Sequence, residues 1–219
     1  MNTPVYKEDH ISQIPALQLL VNMGYTYLSP EEALSFRNEK TTSVLLEDIL
    51  AEQIAKINTP VYKGTPFAIS DSNTYSAIRA LKDIPMNDGY VSACEYTYNL
   101  LISGIALEQT VLGDKKSYTF RYIDWQNTRN NVFHVTEEYS VMRGGRNDHY
   151  RPDIVLFVNG IPFAIIECKR PDLKEPLTLC VEQHLRNQKP DGVLNLYVYA
   201  QVLLGIAGNA AQYATNATE

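Results

Sequence analysis

The chain's apolar residues change period along its length, and those changes mark its elements. Helical spacing recurs at Ser12–Met23, with Ser12 as a candidate N-cap, Pro15 in the first turn and Gly24 as a stop. It recurs at Thr42–Ile57, where Val44, Leu45, Ile49, Ile54 and Ile57 form one stripe. Further helices are predicted over Asn73–Leu81, Ala93–Ser103 and Leu177–Gln188, and a short one over Val193–Ala200. Leu28–Lys40 reads as a loop, and Asn58–Gly89 is rich in turn formers. Strands are predicted at Tyr118–Asp124, Val132–Met142, Ile154–Val158, Phe163–Cys168 and Gln201–Ile206. Helices and strands interleave in this way in an α/β fold with a central mixed sheet flanked by helices.

The two runs Ile154–Val158 and Phe163–Cys168 carry charge where buried strands should not. Asp153 heads the first, and Glu167 and Lys169 close the second. Buried charges are costly unless paired or metal-bound. Alternation puts Glu167 and Lys169 on one face and turns Cys168 to the other. Asn159-Gly160 between the runs signals a hairpin, with Gly160 the expected positive-φ residue. A plain two-residue loop would set Asp153 against Ile166, on the wrong face. A three-residue loop or a bulge shifts the register by one and brings Asp153 opposite Glu167, and that shift is expected here. Two carboxylates about 4 Å apart repel by roughly 4 kcal/mol at an effective dielectric near 20. A divalent cation removes that repulsion, and Mg²⁺ takes one or two carboxylates together with water and phosphate oxygens. Lys169 on the same face could orient a water or offset charge developing on a phosphate. A surface hairpin carrying an ion pair is the plainer alternative for the bare motif.

Pro152-Asp153 followed by Glu167-Cys168-Lys169 resembles the signature of the PD-(D/E)xK nucleases. The wider stretch resembles the N-terminal nuclease domain of type I restriction enzyme R subunits. Tyr98–Ile105 is similar to that family's helix before its first core strand. Ile123–Phe133, Arg151–Pro171, Val181–Gln188, Gln201–Asn209 and Tyr213–Thr218 are similar to its later blocks. The resemblance implies a restriction-endonuclease-like core over 91–219, with 1–90 a helical and irregular part packed on it. It implies Mg²⁺-dependent cleavage of DNA, with Asp153, Glu167 and the Cys168 carbonyl as metal ligands and Lys169 as the catalytic lysine. Gln183 matches the Gln of the family's Gln-x-x-x-Tyr motif, but Asn187 stands where the Tyr is expected. An acid on the first helix has no secure counterpart; Gln13 lies near its place, and Glu8 and Asp9 lie upstream. A non-catalytic DNA-binding or docking module of the same fold is an alternative, and a hydrolase of RNA or branched DNA is another.

Charge adds a location. The 219-residue chain has a net charge of −6, yet 141–190 carries eight basic residues against six acidic ones, while 1–60 carries four against eight. The basic segment surrounds the candidate site, and Arg146, Arg151, Arg170, Arg186 and Lys189 are its candidate contacts to double-stranded DNA. Cys94, Cys168 and Cys180 form no paired pattern, which suits a reducing cytoplasm. His10, His134, His149 and His184 lack zinc spacing, with His149 a candidate for the DNA side. No apolar run is long enough to span a membrane. Asn-Thr-Pro-Val-Tyr-Lys occurs at 2–7 and again at 58–63, and no physical reason for it is evident. There is no phosphate-cradling P-loop. The resemblance therefore implies that this chain is part, or a separate version, of a longer polypeptide. ATP use would then belong to motor domains of that polypeptide, and sequence recognition to modification and specificity subunits.

Overall fold

The structure, a computed structural model, describes residues 12–216. Its elements run α1 (Ile14–Asn22), β1 (Thr26–Tyr27), α2 (Pro30–Ser35), α3 (Glu47–Ile57), β2 (Val61–Tyr62), β3 (Thr65–Pro66), α4 (Asp71–Lys82), α5 (Tyr90–Ser103), β4 (Ile105–Val111), β5 (Asp114–Phe120), β6 (Phe133–Glu137), β7 (Val141–Met142), β8 (His149–Tyr150), β9 (Ile154–Val158), β10 (Ile161–Cys168), α6 (Pro176–Asn187), α7 (Leu194–Tyr197), β11 (Val202–Ala207) and β12 (Ala210–Ala214). Six strands form one mixed sheet in the order β1-β6-β9-β10-β11-β12. The β1–β6 and β10–β11 pairs are parallel; the others are antiparallel. This is the expected α/β architecture of a central sheet flanked by helices.

Alternation along β9 and β10 divides the core in two. Val155, Phe157 and Ile165 join the larger cluster, with Leu50 and Ile54 of α3, Leu81 of α4 and Leu101 of α5. Ile154, Ile166 and Cys168 point the other way, into a smaller cluster closed by Leu17 of α1. The β9–β10 turn is itself buried. Asn159 and Gly160 both take positive φ, as a two-residue type I′ turn requires. The Asn159 amide donates to the Tyr122 carbonyl and to Asn131 Oδ1, each at 2.8 Å, and its oxygen accepts the Val132 N–H at 2.9 Å. The Gly160 carbonyl accepts the Leu46 N–H at 2.9 Å, which docks the turn at the start of α3. A Cβ on Gly160 would lie 2.6 Å from the Leu46 carbonyl oxygen, so glycine is required for the approach as well as for φ.

Several local expectations are corrected. Residues 28–40 are not all loop: Ser29 caps α2 with a reciprocal Ser29–Glu32 capping box, and Pro30 occupies its first turn. Residues 42–46 are not helical; Val44, Leu45 and Leu46 enter the core as an irregular segment, and α3 begins only at Glu47. The strand expected at Tyr118–Asp124 lies four residues earlier, as β5, and pairs with an unanticipated β4 in a separate two-stranded sheet. The strand after α5 is therefore not in the central sheet. Val132–Met142 breaks at Glu138, whose φ is 48°, into β6 and β7. In the second copy of the repeated hexapeptide, Val61 and Tyr62 form β2; the first copy lies outside the described residues.

Candidate active site

The expected register shift is present, and a bulge produces it. Ile161 pairs with Val158 and Pro162 with Phe157, as a two-residue turn dictates; then Phe163 is skipped and Ala164 pairs with Leu156. Beyond the bulge Ile166 faces Ile154, and one further step along that register sets Glu167 across from Asp153. The Phe163 backbone is not wasted at the bulge, since its carbonyl accepts the Gln201 N–H at 2.7 Å. Asp153 Oδ2 accepts the Cys168 N–H at 2.6 Å, tying the first carboxylate to the strand that carries the second.

Glu167 is wholly buried. The Tyr150 hydroxyl donates to its Oε1, and Gln183 Nε2 on α6 donates to its Oε2 at 2.5 Å. Gln183 can reach because α6 lies close on β11. Gly205, the β11 partner of Glu167, has no side chain to hold the helix away, and Cys180 of α6 sits over it. Lys169 leaves the strand end with its backbone fixed on both sides: its N–H donates to the Ile206 carbonyl at 2.8 Å, and its carbonyl accepts the Ser12 hydroxyl at 2.9 Å. Its ammonium donates to the Cys168 carbonyl at 3.0 Å. Burial raises the Cys168 thiol pKa well above its usual range, and the charges of Asp153 and Glu167 raise it further, while Lys169 opposes them. The same three charges act on Cys180, whose thiol burial leads the push up to about 11. Both thiols are thus protonated, buried hydrophobes rather than nucleophiles. Aspartate, glutamate and lysine therefore meet at one end of the β9–β10 hairpin.

Other singled-out residues lie around this point. Arg151 is exposed beside Asp153, and Arg186 and Lys189 are exposed on and just after α6. Arg170 is bidentate to Asp172, and Arg146 pairs with Asp191 at 2.6 Å. His149 is exposed and lies 3.0 Å from the Thr41 hydroxyl. Gln13 donates to the Asp153 carbonyl at 3.1 Å and to Glu137 at 3.3 Å, so it reaches the backbone of the site and not its carboxylates. Glu8, Asp9 and His10 lie outside the described residues. Asn187 is wholly buried, accepting from Arg143 at 3.2 Å and donating to the Gln183 carbonyl at 2.9 Å. Tyr150 and Arg143 carried no signal of a role in the sequence, because their place here depends on the β7–β8 pairing and not on local spacing.

A family profile described as the N terminus of the type I restriction enzyme R protein matches residues 5–219. The chain belongs to this family. A Haemophilus influenzae protein named as the HindI endonuclease subunit of a type I restriction enzyme is 27% identical over 90% of this chain and 18% of its own length. A Methanocaldococcus jannaschii protein, provisionally named as the MjaIXP endonuclease subunit of such an enzyme, is 29% identical over 94% of this chain and 19% of its own length. The chain thus spans about a fifth of the curated relatives it matches. In this chain the four-residue spacing of Gln183 and Asn187 places both residues on one side of α6, toward Glu167 and Arg143.

The donor set suits a hard cation. Asp153, Glu167 and the Cys168 carbonyl offer oxygen alone, and the Cys168 thiol faces the smaller core cluster on the opposite side of the sheet. Among the described residues no group of three or more His, Cys, Asp and Glu side chains gathers at one point. Two carboxylates and a carbonyl match the small protein share that Mg²⁺ takes, whereas zinc favours nitrogen and sulfur.

Proposed function

We propose that this chain is a Mg²⁺-dependent endonuclease module that hydrolyses DNA phosphodiester bonds within a type I restriction enzyme. The observation that carries the reading is the Phe163 bulge, which brings Glu167 onto the rung of Asp153 with Lys169 two residues on. Asp153, Glu167 and the Cys168 carbonyl would hold the ion, which when bound supplies Lewis-acid stabilisation and a more acidic water. The remaining roles follow from the side chains present. Glu167, held on both oxygens, presents a carboxyl group in a fixed orientation. Lys169, anchored at its backbone, brings a positive charge to where a phosphate oxygen would sit and can orient the attacking water. Gln183 fixes Glu167 and has a second N–H with which to position water or phosphate.

Double-stranded DNA would run across the basic segment. Arg151, Arg186 and Lys189 are exposed and available to phosphate. Arg146 and Arg170 sit in exposed ion pairs, worth about 0–1 kcal/mol, which a phosphate can displace. ATP-driven motor domains and the modification and specificity subunits belong to the whole enzyme in which we place the chain. No helix among the described residues is long and apolar enough to cross a membrane.

Supercoiled plasmid incubated with the purified chain and Mg²⁺, beside Asp153→Ala, tests this. Nicking by the native chain that chelation and Asp153→Ala both abolish is the expected result. Equal nicking by the two proteins rules out the assigned site. DNA retardation with no nicking by either would favour the docking-module reading instead.

A further inference from the structure

The contacts around Glu167 close into a ring. Tyr150, the last residue of β8, is only 5% exposed, and its hydroxyl donates to Glu167 Oε1. Gln183 donates to Oε2. The Gln183 carbonyl accepts from Asn187, and Asn187 Oδ1 accepts from Arg143 at 3.2 Å. The Arg143 guanidinium completes the circuit, 5.5 Å from the centre of the Tyr150 ring. The ring joins the β7–β8 hairpin, β10 and α6 around one carboxylate.

We propose that Tyr150 is a positioning residue for Glu167, braced from behind by Arg143 and Asn187. The proposal rests on the reading of Glu167 as a metal ligand. The terminal torsion of a glutamate is broad, so a carboxylate held by one oxygen can turn. Donors on both oxygens, arriving from different elements, fix its plane. The placement of the cation also matters. Arg143 lies over the Tyr150 ring and bonds Asn187, so it steadies the tyrosine and the α6 side of the brace. Asn187, short and wholly buried, belongs to this brace rather than to a DNA contact.

Calorimetric titration of the chain with Mn²⁺ tests this, comparing native protein with Tyr150→Phe, Arg143→Met and Asp153→Ala, with a thermal melt of each. Tyr150→Phe removes a single oxygen, and its melt should stay close to the native one. Its Mn²⁺ affinity should fall about 10–100-fold, the usual effect of removing a group that orients a metal ligand. Arg143→Met should lose affinity in the same direction but less. The Mn²⁺ concentration for half-maximal plasmid nicking should rise with the loss of affinity. A merely structural tyrosine would lower the melt and leave the affinity of the folded protein alone. Native affinity in Tyr150→Phe, or in Arg143→Met should the first variant fail to fold, overturns the proposal. If Asp153→Ala abolishes binding in that same series, the metal reading stands without it. Absence of Mn²⁺ binding by the native chain sinks both.

Discussion

Replacing Gly205 with alanine should separate α6 from the sheet and release Glu167. The added Cβ would lie 2.6 Å from Cys180 Cβ and 3.1 Å from its Sγ. Carbon atoms pack at about 3.5–4.0 Å, so the helix must retreat by roughly 1 Å. Gln183, one turn beyond Cys180, now donates to Glu167 at 2.5 Å. A retreat of that size stretches the bond toward the limit of hydrogen bonding. Overpacking costs about 1–3 kcal/mol, and a weakened bond to a buried carboxylate adds up to about 1.5–3 kcal/mol. A net loss of about 2–5 kcal/mol lowers the melting temperature of a chain this size by roughly 5–15 °C. Urea titration followed by circular dichroism reads the first figure and a thermal melt the second. The steric cause is checked by relief: Cys180→Gly in the Gly205→Ala background removes both close atoms and should restore stability to within about 1 kcal/mol, the cost of glycine in a helix. Cys180→Ala keeps the nearer atom and should restore little. Native-like stability of Gly205→Ala, or equal rescue by the two Cys180 variants, would refute the reasoning.

Gly160→Ala should be at least as damaging, since it combines a positive φ with a Cβ 2.6 Å from the Leu46 carbonyl oxygen. Strain of about 1–3 kcal/mol and overpacking of similar size should show as a large drop in urea midpoint, and an unchanged midpoint would contradict the docked turn. Burial holds the His184 imidazole below its usual pKa, with its ring nitrogens 2.9 Å from the Tyr197 hydroxyl and the Leu204 carbonyl oxygen. The unfolded chain takes up a proton near pH 6.5 that folded His184 resists. This contribution is therefore complete above that pH and declines as pH falls below it, by up to about 1.4 kcal/mol per pH unit. Urea titrations between pH 7.5 and 5.5 should show a decline that His184→Gln makes shallower; an unaltered slope in that variant would contradict the assignment.

The hairpin that carries the site was legible because two demands met in it. Period-two alternation had to bury Val155 and Ile165 on one face, and Asp153 had to share a rung with Glu167. Only a one-residue shift satisfies both, and the Phe163 bulge supplies it. The Asn159-Gly160 turn carried its own signal. Other features were written weakly or elsewhere. The capping box of α2 is plain in Ser29-Pro30-Glu31-Glu32, but the helix is short and lacks a sustained apolar stripe. Val44 and Leu45 prolonged the α3 pattern because a buried irregular segment is as apolar as a helix face. The β4–β5 hairpin turns on Leu112-Gly113, and leucine at φ 51° is no turn signal. The grip of Tyr150 on Glu167 could not be read at all, since it arises from strands meeting far from any local spacing rule.

A crystal of the chain soaked in Mn²⁺ and measured for anomalous scattering puts the central claim to its most direct test. A peak bounded by the Asp153 and Glu167 carboxylates and the Cys168 carbonyl, absent from Asp153→Ala crystals of the same form, is the predicted result. Density for the ion elsewhere, with those three oxygens bare at saturating Mn²⁺, would contradict it.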